Sequence, residues 1–221
     1  MDQHETHQGH GLIALDAIAA RLREALDQKN AAREAALRLC RETIRISSRA
    51  IRAVHRLEFE AARGLIDEAR ATVERAKEAL VGHPDLFFAG YVHDSQKEYV
   101  EAEAVYAMVR NMPLPDPAEL GVEPAAYLNG LAEAGSECRR FVLDRLREGS
   151  TEGADAVMRA MDDIYYELVT FDYPDAITGG LRRTTDAFRA VLERTRGDLT
   201  LTVQNNALRE ALRQAAEAKG G

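Results

Sequence analysis

Apolar residues recur along this chain every three to four positions, over stretches far longer than any strand. Alternating apolar and polar residues are scarce. The pattern predicts helices over about residues 12–57, 58–80, 85–111, 124–147, 152–171 and 176–217, with Asn30 a candidate break in the first. The expected stops are Gly82 and Pro84, the run Met112-Pro113-Leu114-Pro115-Asp116-Pro117, Gly149-Ser150, and Tyr173-Pro174. Pro124 suits the first turn of its helix, Thr151 is the expected cap of the next, and Gly179-Gly180 weaken the start of the last. The connections are short and there is no internal repeat. This is an all-α protein: a single-domain bundle of about six or seven long helices over residues 12–217, preceded by an unstructured tail at 1–11. The first and last helices are long enough to outrun the core and offer faces to partner chains.

Composition narrows the function classes. Lysine and arginine number 29 against 37 acids, a net charge of −8, which argues against a surface that is basic throughout but not against a local basic patch. Cys40 and Cys138 sit among apolar neighbours and read as small core residues in a reducing compartment. No apolar run approaches the roughly 20 residues of a membrane span, and the N-terminus lacks signal-peptide architecture, so a cytoplasmic location is expected. His4, His7 and His10 in the tail are read as incidental. Walker, dinucleotide-binding, nucleophile-elbow and zinc-ligand patterns are missing. No suitable Glu-x-x-His supports a di-iron centre.

Two features remain. On the third helix, Glu98 falls within the stripe formed by Tyr91, Val92, Ser95, Tyr99, Ala102 and Val105, with Glu101 and Asp94 at its edge. Lys97 is expected to point away and Glu103 to be solvated. Most Glu-x-x-Glu pairs are solvated faces. A carboxylate turned toward a core, however, needs a partner or a cation, and the spacing of Glu98 and Glu101 puts both on one side, where they could share a hard divalent ion. On the fourth helix, Glu137 lies at the edge of an apolar stripe and Glu133 well off it, an ordinary surface pair unless this helix lines a groove. The second feature is a row of arginines on the first helix, Arg38, Arg41, Arg45, Arg49, Arg52 and Arg56, with only Glu34 and Glu42 as acids between residues 33 and 56. Such a row fits phosphates, or an acidic partner helix.

Three segments in order resemble the translin family, and within it the catalytic Trax-type branch. Arg41-Glu42, Ser48-Arg49, Ile51 and His55-Arg56 are similar to the first-helix pattern of the family. Gln96-Lys97-Glu98-Tyr99-Val100-Glu101-Ala102 resembles the Trax-type Gln-Glu-Tyr-Val-Glu-Ala with Lys97 added. Tyr127-Leu128-Asn129-Gly130-Leu131-Ala132-Glu133, closed by Glu137, resembles its Tyr-Leu-x-Gly-Val-Ala-Asp segment. The resemblance implies an all-α subunit of a large hollow homo-oligomer that binds RNA or single-stranded DNA. It further implies a Mg2+- or Mn2+-dependent endoribonuclease in which Glu98, Glu101 and Glu133 are catalytic metal ligands and Glu137 a fourth ligand. By the same reading Arg41, Arg45, Arg49 and Arg56 hold nucleic-acid phosphates. Glu133 departs from the family, which has Asp there. Two other readings stay open: a nucleic-acid-binding module without catalysis, and a helical adaptor that binds protein.

Overall fold

The computed structural model describes residues 10–220; the expectation for the first nine residues lies outside them. Six long helices and three single turns follow one another: α1 (His10–His55), α2 (Phe59–Ala79), α3 (Pro84–Phe87), α4 (Gly90–Val109), α5 (Pro117–Leu120), α6 (Pro124–Arg147), α7 (Ala154–Leu168), α8 (Asp175–Thr178) and α9 (Leu181–Gly220). Among the described residues there is no strand, and no helix is long and apolar enough to cross a membrane.

Several boundaries differ from the expected ones for local reasons. Helix α1 runs unbroken through Asn30, since one asparagine costs a long helix little. The predicted start at 85 splits into the turn α3 and helix α4, because Ala89 is extended (φ −75°, ψ 148°). Thr151 does not cap α7; that position belongs to Gly153 in left-handed conformation (φ 76°), and Thr151 instead accepts the Ala154 N–H through its carbonyl. Gly179 and Gly180, both at positive φ, separate α8 from α9 rather than merely weakening one helix.

Helix α4 is the centre of the bundle. Its buried residues include Val92, Tyr99, Val100, Ala104, Val105 and Met108 and go most of the way round, because α1, α2, α6 and α7 all pack on it. The direction of its neighbours follows from the residue pairs that meet. Cys40 meets Ser95, and Ala53 and Val54 join Ala104 and Val105 in one cluster, so α1 and α4 run the same way. Gly130 meets Lys97 and Cys138 meets Met108, so α6 runs the same way too. Two glycines set the distances of α6. A Cβ on Gly130 would stand 2.7 Å from the Val100 side chain, and one on Gly135 would stand 2.3 Å from the buried Phe188 ring of α9. Outside the core, most residues of α1 before Ala36 and of α9 after Leu199 are exposed, including Leu15, Leu22, Leu26, Leu201, Leu208 and Leu212, so both helices do extend past the bundle.

Candidate carboxylate centre

Helix α4 presents Lys97, Glu98 and Glu101, and α6 presents Glu133 and Glu137, where the small Gly130 draws the two helices together. One carboxylate oxygen from each of Glu98, Glu101 and Glu133 lies within 4.8 Å of the others, and all three residues are half-buried. Glu133 of α6 therefore meets the Glu98–Glu101 pair of α4 across the seam, and Glu137, outside this trio, adds its charge on Glu101. Glu133, which its own helix would place on the surface, is turned into a site by the neighbouring helix.

Two partners complete the cluster. Lys97 Nζ donates to Glu133 Oε1 at 2.8 Å, with only 19% of the Lys97 side chain exposed. This corrects the expectation that Lys97 points away: α6 sits on that side of α4. His55, the last residue of α1, has its side chain almost wholly buried, and its Nε2 lies 2.7 Å from Glu137 Oε1. Because a carboxylate accepts, that nitrogen carries the proton, and the buried Nδ1 has no hydrogen-bond partner among the described residues. Asp94, one turn before Glu98, is exposed.

The electrostatics are those of crowded acids. Burial pushes Glu98 up from its ordinary range, Lys97 opposes this, and Glu133 and Asp94 add to it. Glu101 is pushed up to about 8, first by burial, then by the charges of Glu98, Glu133 and Glu137. Burial is the largest single influence on the Lys97 ammonium and disfavours it, but the bond to Glu133 and the charges of Glu133, Glu98 and Asp94 together raise its pKa. A cluster of oxygen donors that resists holding its full negative charge is suited to a hard divalent cation. Mg2+ and Mn2+ match this donor set, which offers neither sulfur nor a free imidazole nitrogen aimed at the acids.

The arginines of α1 occupy the side opposite the core. Arg38, Arg41, Arg45, Arg49, Arg52 and Arg56 are all exposed and fall within an arc of roughly 80°. His55 lies about 40° outside that arc, on the flank turned toward the core, with its side chain buried. Arg45 pairs with Glu42 at 3.3 Å, Arg52 donates to Ser48 at 2.7 Å, and Arg56 pairs with Glu58 at 2.7 Å. Arg38, Arg41 and Arg49 make no ion pair among the described residues. A cavity of about 880 Å³ lies elsewhere, between the end of α7 and the start of α9, and none of these residues lines it.

No family model matches the chain. An uncharacterised protein of Methanocaldococcus jannaschii is 32% identical over 196 residues, 86% of this chain and 84% of that protein. Among solved structures, AfC3PO superposes with a TM-score of 0.79 at 32% identity, covering 85% of this chain and 97% of that one, both alone and in a complex with duplex RNA. The chain belongs to the translin (C3PO) family. Apo-NeC3PO, at 20% identity and a TM-score of 0.75 over 83% of this chain, shares the fold.

Within this translin fold the three sequence segments converge on one place. The first ends at His55, the second carries Lys97, Glu98 and Glu101, and the third carries Gly130, Glu133 and Glu137. The sequence reading gave no role to Lys97, His55 or Gly130. A lysine beside two glutamates, a histidine closing a helix, and a glycine inside one were each visible, but only the packing says what they face. Glu103 is a second correction. It is buried rather than solvated, accepts two bonds from Arg63 at 2.9 Å and lies 3.2 Å from the Tyr99 hydroxyl.

Proposed function

We propose that this translin-family protein is a Mg2+- or Mn2+-dependent endoribonuclease of the Trax type. The observation that carries the reading is the convergence of Glu98, Glu101 and Glu133 from two helices within 4.8 Å. The complex of AfC3PO with duplex RNA supports RNA as the ligand, and single-stranded DNA would meet the same arginine row. Assembly into a hollow homo-oligomer is supported by the exposed apolar residues on the projecting parts of α1 and α9.

In this reading Glu98, Glu101 and Glu133 hold the metal. Glu137 is the fourth acid of the site, and His55 fixes one of its oxygens through the Nε2–H bond. Arg41, Arg45, Arg49 and Arg56 bind phosphates on either side of the scissile one, with no dependence on base identity. Arg41 and Arg49 are ready for this, whereas Arg45 and Arg56 must first leave Glu42 and Glu58. Lys97 faces the same centre and brings positive charge to where a phosphodiester would lie. A bound Mg2+ or Mn2+ supplies Lewis-acid charge at the phosphate and lowers the pKa of water.

The test is cleavage of a labelled RNA with Mg2+, with Mn2+ and with chelator, for the wild type and for Glu98→Ala/Glu101→Ala. Loss of cleavage in chelator and in the double variant is expected; full activity in either would reject the reading. One observation favours a second reading, an RNA-binding subunit without catalysis: one oxygen of Glu133 is already taken by Lys97. Tight RNA binding without cleavage across several divalent metals would establish it.

A further inference from the structure

We propose that the Lys97 ammonium is a resident cation of the carboxylate centre, occupying the place of a second divalent ion and limiting the centre to one Mg2+ or Mn2+. The inference rests on the reading of this centre as a metal site and specifies its stoichiometry.

Phosphodiester-cleaving centres with two metal ions hold them about 3.5–4 Å apart, with carboxylates shared between them. The acids here come from two sides, Glu98 and Glu101 from α4 and Glu133 from α6, so Glu133 is the group a pair of ions would have to share across the seam. One of its oxygens is engaged by Lys97 Nζ at 2.8 Å. The ammonium is not a surface charge that happens to swing in, since only 19% of its side chain is exposed against 32% for Glu133. Its root cannot turn away either. The Lys97 carbonyl oxygen is packed so close to Gly130 that a Cβ there would be 2.8 Å from it, which fixes the rotation of α4 against α6 at this residue. Charge balance agrees. Three carboxylates carry three negative charges, matched by one divalent ion and one ammonium. Glu137 brings a fourth negative charge, and a second divalent ion beside the ammonium would set five positive charges against these four.

The arrangement also gives Lys97 something to do when nucleic acid arrives. A phosphodiester oxygen competes with Glu133 for the ammonium, and both lie within reach of the same donor, which has three N–H bonds to offer. The ammonium then serves as the second positive charge on the scissile phosphate, where a two-ion centre would use metal.

The experiment counts Mn2+ on the full chain by equilibrium dialysis and electron paramagnetic resonance, for wild type, Lys97→Met and Lys97→Arg, with Glu98→Gln/Glu101→Gln giving the background from other sites. We expect one Mn2+ per subunit with an uncoupled spectrum in wild type and in Lys97→Arg, and two with a spin-coupled spectrum in Lys97→Met. Two coupled ions in wild type would overturn the inference while leaving the metal centre intact, as would a single ion in folded Lys97→Met. No binding above background would overturn the metal reading itself, and this inference with it. Circular dichroism checks folding, and Lys97→Gln replaces Lys97→Met if the latter does not fold.

Discussion

Gly130 and Lys97 touch backbone to backbone: any Cβ at residue 130 would meet the Lys97 carbonyl oxygen at 2.8 Å and the Val100 side chain at 2.7 Å. Neither neighbour is the free end of a flexible side chain. This contact holds the two carboxylate-bearing helices at the separation that brings Glu98 and Glu101 to Glu133. Gly130→Ala would gain a little helix propensity and lose more to overpacking. The expected result is a net destabilisation of about 1–3 kcal/mol in urea unfolding, together with weaker Mn2+ binding, because α4 and α6 must part. Gly64→Ala, with nothing within 4 Å of its Cβ position on α2, is the control and should leave both measurements unchanged or slightly raise stability.

Glu101 makes the metal-free protein sensitive to pH. Its carboxyl is pushed from an ordinary 4.5 to about 8 by burial and by the neighbouring acids. Between those values the folded chain holds a proton that the unfolded chain has released. Stability at this residue is therefore fully present below about 4.5, falls as the pH rises through that window, and is gone above about 8. The slope cannot exceed about 1.4 kcal/mol per pH unit for one group. Thermal or urea unfolding in chelator should show the decline from pH 5 to 8, and Glu101→Gln should flatten it. Saturating Mn2+ should flatten it as well, since metal takes the place of the proton, and calorimetry in buffers of differing ionisation heat should detect proton release on binding at pH 7.

The helices were legible in the sequence through apolar periodicity, and most end near proline or glycine; the break between α1 and α2 has neither and falls at Leu57, which is at positive φ. The site was legible only in pieces. Glu98 and Glu101 share a helix, and their spacing alone puts them side by side. Glu133 lies off the apolar stripe of α6, and no periodicity within one helix can say that a second helix covers that side. The same gap explains Lys97 and Glu103. Helix α4 is surrounded, so a wheel with one apolar stripe misassigned its other faces: Lys97 turned out to meet α6, and Glu103 to meet Arg63 of α2. The resemblance to the translin family reached Glu133 and Glu137 by motif, without supplying the contact that joins them to α4.

That buried pair gives a prediction separate from the site. Arg63 holds both oxygens of Glu103 at 2.9 Å, and 34% of the Arg63 side chain is exposed against 9% for Glu103. Removing the arginine strands a carboxylate in the core, whereas removing the acid frees an arginine that can reach water. Arg63→Ala is therefore expected to cost more, about 3 kcal/mol or above, than Glu103→Gln, which keeps a hydrogen-bonding group. Equilibrium unfolding of the two variants decides it, and equal costs would mean that the pair is not desolvated. Mn2+ binding should survive in both, because neither residue faces the carboxylate centre.

The arginine row is tested by salt. Arg41 and Arg49 are exposed on α1, make no ion pair among the described residues, and pack on nothing in the core, so Arg41→Ala/Arg49→Ala should unfold as the wild type does. If both arginines neutralise phosphates, the plot of log affinity for RNA against log salt becomes shallower by about 0.7–0.9 for each contact removed. The affinity should fall by a similar factor for unrelated RNA sequences, since phosphates carry no base identity. Arg45→Ala and Arg56→Ala should change the slope less, because Glu42 and Glu58 already hold those side chains and binding must first break those pairs. Filter binding across a salt series separates the two classes. An unchanged slope in Arg41→Ala/Arg49→Ala would place the nucleic acid on another face of the bundle and leave the row to an acidic protein partner.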